Sequence, residues 1–158
     1  MKILYLDTET TGLYPNKHGI IQIAGLVEID GEVIDAFDLK LNPLPDCEIS
    51  PEATAKHGIE PTDLFNHKHT LQDFQSILDR HINKYDKNDK FSICGYNVGF
   101  DIGFLKALWK KNEDNYFFSY FDNKNIDIYS MIQFLKIMNV SDFIPLKNLK
   151  LETVYPVL

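Results

Sequence analysis

The hydrophobic pattern begins with Ile3-Leu4-Tyr5-Leu6, an apolar run without alternation that meets Asp7-Thr8-Glu9. Such a run predicts a strand buried on both faces. Ile20 to Ile29 is apolar enough for a second strand, with Ile21 and Ile23 on one face, and Asp30-Gly31 is a two-residue hairpin signal. Val33 to Leu41 returns as a third strand, in which Phe37, Leu39 and Leu41 alternate with Asp38 and Lys40. Three consecutive antiparallel strands are expected.

Asn42 to Pro51 contains three prolines and reads as a loop. Ser50 then has the chemistry of a helix N-cap, with Pro51 at the first helical position and Glu52 in the first turn. Glycine at His57-Gly58 stops that short helix. Glu60 to Leu64 predicts another helical turn. Thr70 and Asp73 form a capping box ahead of a stripe of Leu71, Phe74, Leu78 and Ile82. Lys84 to Lys90 reads as a charged, solvated loop.

Phe91 to Tyr96 predicts a short buried strand, followed by a helix carrying Phe100, Phe104, Leu105, Leu108 and Trp109. Their spacing of four places Asn97 and Asp101 on one side at its start. Lys106, Lys110 and Lys111 fall towards its C-terminal end, where positive charge is favoured, and receive no substrate role. Asn112 to Asn125 reads as a polar and aromatic loop. Ile126-Asp127 ends a fifth strand, Asp127 is placed to cap the next helix, and Ile128, Ile132, Leu135 and Met138 form its stripe. A last helix is expected to begin near Leu146.

The chain has 158 residues, one domain's worth, with 44% hydrophobic and 13% aromatic residues, enough for a real core. Its net charge of −7 argues against a general electrostatic clamp on nucleic acid. A nucleic-acid enzyme is compatible with that charge, because bound divalent cations reverse it locally. Cys47 and Cys94 form no Cys-x-x-Cys motif and read as buried thiols in a reducing compartment. The apolar run after Lys2 is too short for a signal peptide, and no stretch is long enough to cross a membrane, so a soluble cytoplasmic protein is expected.

The chemistry concentrates at Asp7 and Glu9. Two residues apart on a strand, their carboxylates leave on the same side. Adjacent carboxylates that lose hydration either take up a proton or hold a cation between them, and hard oxygen ligands suit Mg²⁺ or Mn²⁺. Gly12 lets the backbone turn sharply and come close to a ligand.

Three pieces follow in fixed order: Asp7-Thr8-Glu9-Thr10-Thr11-Gly12, His57-Gly58-Ile59 and Asn97-Val98-Gly99-Phe100-Asp101. Together they resemble the DEDD superfamily of 3′→5′ exonucleases. The similarity is greatest to its DnaQ-like proofreading group, which includes the epsilon subunit of bacterial DNA polymerase III. The resemblance covers nearly the whole chain. It implies an α/β ribonuclease-H-like fold, a five-stranded mixed sheet with three antiparallel and two parallel strands, flanked by helices. It also implies a two-metal hydrolysis of phosphodiesters at a DNA 3′ end, with Mg²⁺ or Mn²⁺ held by Asp7, Glu9 and Asp101. By the same resemblance Thr8, Thr10, Thr11, Gly12, Leu13, Glu52, His57, Asn97 and Phe100 lie along the substrate. A DNA polymerase is the implied partner.

The sequence departs from the family at its third motif, His-x-x-x-x-Asp or Tyr-x-x-x-Asp, which supplies the fourth metal-binding aspartate and the general base. No histidine follows Asp101, and none of Tyr116, Tyr120, Tyr129 or Tyr155 has an aspartate four residues on. His81 with Asp86 and Tyr85 with Asp89 match the spacing but precede the second motif, as coincidences do. The simplest account is a single exonuclease domain over residues 1–158 that stops before the motif-bearing helix. The apolar surface that helix would cover invites dimerisation or instability. Alternative readings are an RNA exonuclease of the same superfamily, or a catalytically silent module that binds nucleic-acid ends or a polymerase. A carboxylate-pair glycosidase explains neither the Thr-Thr-Gly turn nor Asn97.

Without the third motif's aspartate one ion loses an anionic ligand, and without its base a contribution of ~10²–10⁴-fold in rate is missing. The chain is therefore expected to turn over a 3′-labelled oligonucleotide slowly and to bind Mn²⁺ at less than two full sites by calorimetry. Two-ion occupancy with turnover of about 1–10³ s⁻¹ would contradict this and make Asp127 and Asp142 the first residues to mutate.

Overall fold

The hairpin signal is where the fold starts. Asp30 and Gly31 both adopt positive φ, 52° and 92°, which matches the turn to the right-handed twist of its strands. That turn joins β2 (Ile20–Ile29) to β3 (Glu32–Lys40), and β2 pairs antiparallel on its other side with β1 (Lys2–Thr10). A computed structural model describes residues 1–43, 45–140 and 148–151. Beyond β1 the sheet is extended by β4 (Ser92–Gly95) and β5 (Ile126–Asp127), both parallel, in the order β3-β2-β1-β4-β5. This is the expected five-stranded mixed sheet.

β1 corrects one expectation. It extends through both carboxylates, and from Tyr5 onwards it alternates: Leu6, Thr8 and Thr10 are buried, while Tyr5, Asp7 and Glu9 are more open. The sheet covers the two sides of β1 unequally. On the covered side lie α2 (Leu71–Asp79) and α3 (Gly99–Lys111), whose Phe74, Leu78, Phe104, Leu105 and Trp109 share one core with Leu4, Leu6 and Ile93. On the other side α5 (Ile128–Ile137) buries Ile132 against Tyr96 and Leu149. Leu26, Ile34, Phe134 and Met138 remain exposed.

The short helix α1 (Pro51–His57) forms as its sequence directs. Ser50 caps it by accepting from the Ala53 N–H, and Gly58 ends it at φ 72°. The Thr70 capping box is formed, and the helical turn expected near Leu64 is a 3₁₀ turn over Asp63–Asn66. Ile82 is buried beyond the end of α2 rather than on it.

Three further expectations change. The segment from Asn112 to Asn125 contains α4 (Phe117–Tyr120), because Phe117, Tyr120 and Phe121 pack around Trp109 with ring centroids 5.5–6.0 Å away. Asn97 is not on α3: it stands before the helix with φ 60°, a conformation Asn tolerates better than most residues. Cys94 is buried, but Cys47 is only half-buried, and both are free. The loop from Lys84 is also tied down, with Lys84 bonded to Asp79 at 2.8 Å and the Tyr120 hydroxyl at 3.1 Å. The helix expected near Leu146 lies outside the described residues. Among the described residues no helix is long and apolar enough to cross a membrane.

Asp127 joins the two ends of the parallel edge. Its carboxylate accepts from the Tyr129 N–H at 3.1 Å and the Ser130 hydroxyl at 2.8 Å, capping α5, and from the Asn97 N–H at 2.9 Å, fixing the exit from β4. Asp127→Ala is expected to lower stability by about 2 kcal/mol, read from urea denaturation, while leaving Mn²⁺ affinity unchanged. Lost Mn²⁺ affinity at unchanged stability would make Asp127 a ligand instead of a cap.

Candidate active site

The parallel strands β1, β4 and β5 end at one edge of the sheet, where α/β sheets place their ligands. β4 pairs with β1 only as far as Tyr5 and Cys94, so the next residues of β1 lose their neighbour on that side. α3 begins in this gap. Asp101, in its first turn, takes the Thr8 N–H at 3.0 Å and the Thr8 hydroxyl at 2.7 Å, both on Oδ1. A buried backbone donor that would otherwise be orphaned is thereby satisfied.

The cost falls on Asp101. It is 4% exposed, and its carboxyl is pushed up to about 6, first by burial and then by the neighbouring Asp7 charge, against the opposing Thr8 bonds. Asp7 is more open; partial burial raises its pKa and the Lys56 charge works against the rise. Asp7 and Asp101 are thus neighbours in charge, as the three-motif pattern implies.

A cleft of about 550 Å³ lies beside this junction. Of the residues expected from the sequence, Thr8, Glu9, Thr10, Gly12, Leu13, Glu52, His57 and Phe100 line it. Thr11 does not: it is buried, its hydroxyl accepts from the Gly19 N–H at 3.0 Å, and its carbonyl accepts from the Ser50 N–H at 2.7 Å. It ties α1 to the end of β1. The Thr10 hydroxyl is likewise used within the loop, donating to the Gly12 carbonyl at 2.8 Å. Asn97 is exposed and lies outside the cleft lining, since its backbone is held by Asp127.

Gly12 is needed for a close approach, but to a side chain rather than a ligand. A Cβ there would come within 2.3 Å of the His18 ring. His57 uses Nδ1 to accept the Ile59 N–H at 3.0 Å, which places the proton of the neutral ring on Nε2. That Nε2 is buried and has no hydrogen-bond partner among the described residues. Glu52 accepts from the Ser50 hydroxyl at 2.5 Å, which holds its carboxyl below the usual range. Leu13 is exposed, and Phe100 leans on Phe104 at 4.9 Å. Lys56, Lys17 and His18 also line the cleft and were not picked out from the sequence. Lys56 could have been found, since it precedes His57 in the last turn of α1.

The donors around the junction are all carboxylate oxygens, the chemistry of a hard divalent cation. Among the described residues no three His, Cys, Asp or Glu side chains stand together as a ready ligand set. Asp101 is turned on to Thr8, and its carboxylate feels the charge of Asp7.

Because the folded protein binds the Asp101 proton more tightly than the unfolded chain, stability falls as pH rises from about 4 to 6 and stays lower above that. Up to about 3 kcal/mol is involved at neutral pH. Asp101→Asn, which keeps an oxygen for Thr8, is expected to raise Tm at pH 7.5 in EDTA and to flatten its pH dependence between pH 4 and 7. Equal Tm profiles for the two proteins would count against a strained carboxylate.

Residues 4–138 match the exonuclease family model RNase_T. Over 109 residues the chain is 32% identical to the PolC-type DNA polymerase III of Thermotoga petrophila, covering 67% of this chain and 7% of that protein. Exonuclease I of E. coli, solved in complex with a dT13 oligonucleotide, superposes with a TM-score of 0.76 at 18% identity, covering 99% of this chain and 35% of that one. Exonuclease I from Methylocaldum szegediense gives 0.71 at 21% identity, over 89% of this chain and 30% of that one. At these identities the solved structures establish the fold, and the chain spans about a third of their length. With the family model spanning most of the chain, the protein belongs to the exonuclease family, in its DnaQ-like DEDD group.

Proposed function

We propose that this domain is a 3′→5′ exonuclease that hydrolyses DNA phosphodiesters from the 3′ end. The observation that carries the reading is the cleft itself, which gathers Glu9, Leu13, Glu52, His57 and Phe100 beside the Asp7–Thr8–Asp101 junction.

In this reading Asp7, Glu9 and Asp101 would hold Mg²⁺ or Mn²⁺, two ions in the complete family site. Bound there, such ions supply an ionised water nucleophile and charge for the leaving oxygen. The chain's own residues hold the substrate. His57 presents an Nε2–H donor to an oxygen of the terminal nucleotide. Glu52, kept ionised by Ser50, offers an acceptor to the 3′-hydroxyl. Leu13 and Phe100 give the terminal bases an apolar face, which is sequence-tolerant. Thr8 fixes Asp101, and Thr11 fixes the cleft wall.

DNA is preferred as substrate because E. coli exonuclease I, a neighbour in fold, has been solved with DNA oligonucleotides. The PolC-type relative supports association with a DNA polymerase. A second reading, a module that binds nucleic-acid ends without cutting them, is favoured by the lack of a His-x-x-x-x-Asp or Tyr-x-x-x-Asp motif after Asp101.

With Mn²⁺, the protein is expected to shorten a 3′-labelled single strand by mononucleotides, to spare a 3′-blocked strand, and to prefer DNA over RNA of the same sequence. Asp7→Asn should abolish turnover and His57→Ala should mainly raise KM. Equal digestion of blocked and free ends would exclude this function, and tight end-binding without turnover would favour the second reading.

A further inference from the structure

A second cavity of about 290 Å³ opens where the chain leaving β3 meets the start of α2 and the C-terminal half of α3. Among the described residues its walls contain Lys68, Lys111, His67 and His69, and no aspartate or glutamate. In a chain with 23 acidic and 16 basic residues, that lining runs against composition. Outside the lining, Asp46 pairs with the Lys111 ammonium at 3.8 Å from a largely solvated position, and Asp73 accepts from the Thr70 N–H and hydroxyl.

The buried member of the set is His67, only 7% exposed. Its Nδ1 lies 3.1 Å from the Leu41 carbonyl oxygen and must carry the ring proton there. Its Nε2 has no hydrogen-bond partner among the described residues. His69 is exposed; its Nδ1 lies 3.1 Å from the Lys40 nitrogen and 3.2 Å from the Lys40 carbonyl oxygen, which leaves its other ring nitrogen open as well. Lys111 is mostly buried and spends one donor on the Cys47 sulfur at 3.2 Å. Positive charge at the end of α3 suits the helix dipole, but the dipole explains neither the two open imidazoles nor the missing acids. Leu71 and Phe104 supply an apolar wall. The volume sits at the lower end for ligand sites, enough for an anionic group and the first atoms attached to it.

We propose that this cavity binds the phosphoryl group of a phosphate ester. Lys68 and Lys111 act as point charges, the imidazoles orient the oxygens, and the apolar wall takes the ester side. Two sources share that chemistry: a phosphate further along the strand whose end occupies the cleft, or a free mononucleotide. His18 lines both cavities, so the two adjoin. The strand source rests on the exonuclease reading, whereas the mononucleotide source does not.

The test follows the imidazole Cε1–H NMR signals of His67 and His69 in the full chain, in EDTA. The probes are inorganic phosphate, thymidine, thymidine 5′-monophosphate, a thymidine dinucleotide and an eight-residue oligothymidylate. Both signals should move saturably with phosphate and the monophosphate but not with thymidine. Lys68→Gln with Lys111→Gln should weaken monophosphate binding about tenfold or more, and Lys68→Arg with Lys111→Arg should restore it. A longer oligonucleotide that binds more tightly than the dinucleotide, with the gain lost in the double glutamine variant, identifies the strand as source. Shifts with the monophosphate alone identify the free nucleotide. Phosphate-induced shifts without any oligonucleotide binding support this site and count against the exonuclease reading. Unmoved His67 and His69 signals with every phosphate-bearing probe, or equal shifts with thymidine, would overturn the proposal. So would wild-type affinity in a folded double glutamine variant.

Discussion

The site depends on the amide of Thr8. β4 pairs with β1 only as far as Tyr5, yet β1 continues to Thr10, so the Thr8 N–H faces a gap in the sheet. Asp101 fills that gap from the first turn of α3 and takes both the N–H and the hydroxyl of Thr8. Satisfying a buried donor in this way buries a second carboxylate within reach of the Asp7 charge. Asp101 is consequently pushed up to about 6. One hydrogen-bonding requirement of the backbone thus assembles two acidic groups that repel each other and invite a cation.

The rest of the site is held by ordinary loop chemistry. Thr11 binds the loop at Gly19 and the cap of α1 at Ser50, and this places Glu52, Lys56 and His57 across from Glu9. Gly12 leaves room for the His18 ring behind the wall. On the far side, Asp127 joins the start of α5 to the turn after β4, which keeps α3 aimed at the gap. The catalytic candidates are few, and much of the surrounding polar chemistry maintains their positions.

What the sequence made legible was local. Asp30-Gly31 specifies a hairpin by its own φ preference, and Ser50-Pro51 with Gly58 brackets α1 within a few residues. The two parallel strands at the edge of the sheet were expected from the three ordered motifs, and β4 and β5 form them. What stayed hidden was tertiary. The Thr8–Asp101 bond spans 93 residues and leaves no periodic signal. The helix α4 is four residues long and exists because its aromatic side chains close around Trp109. The left-handed Asn97 depends on where Asp127 holds its amide. Lys111 looks like an ordinary helix-end cation until the fold turns it into a cavity without acids.

The claim that Asp101 is a strained, cation-seeking carboxylate can be measured on its own carbon. A ¹³C NMR titration of the Asp101 carboxyl in metal-free protein should give a midpoint near 6, moving sharply down when Mg²⁺ is added. A midpoint in the ordinary aspartate range, near 3.9, and insensitive to Mg²⁺, would contradict the account.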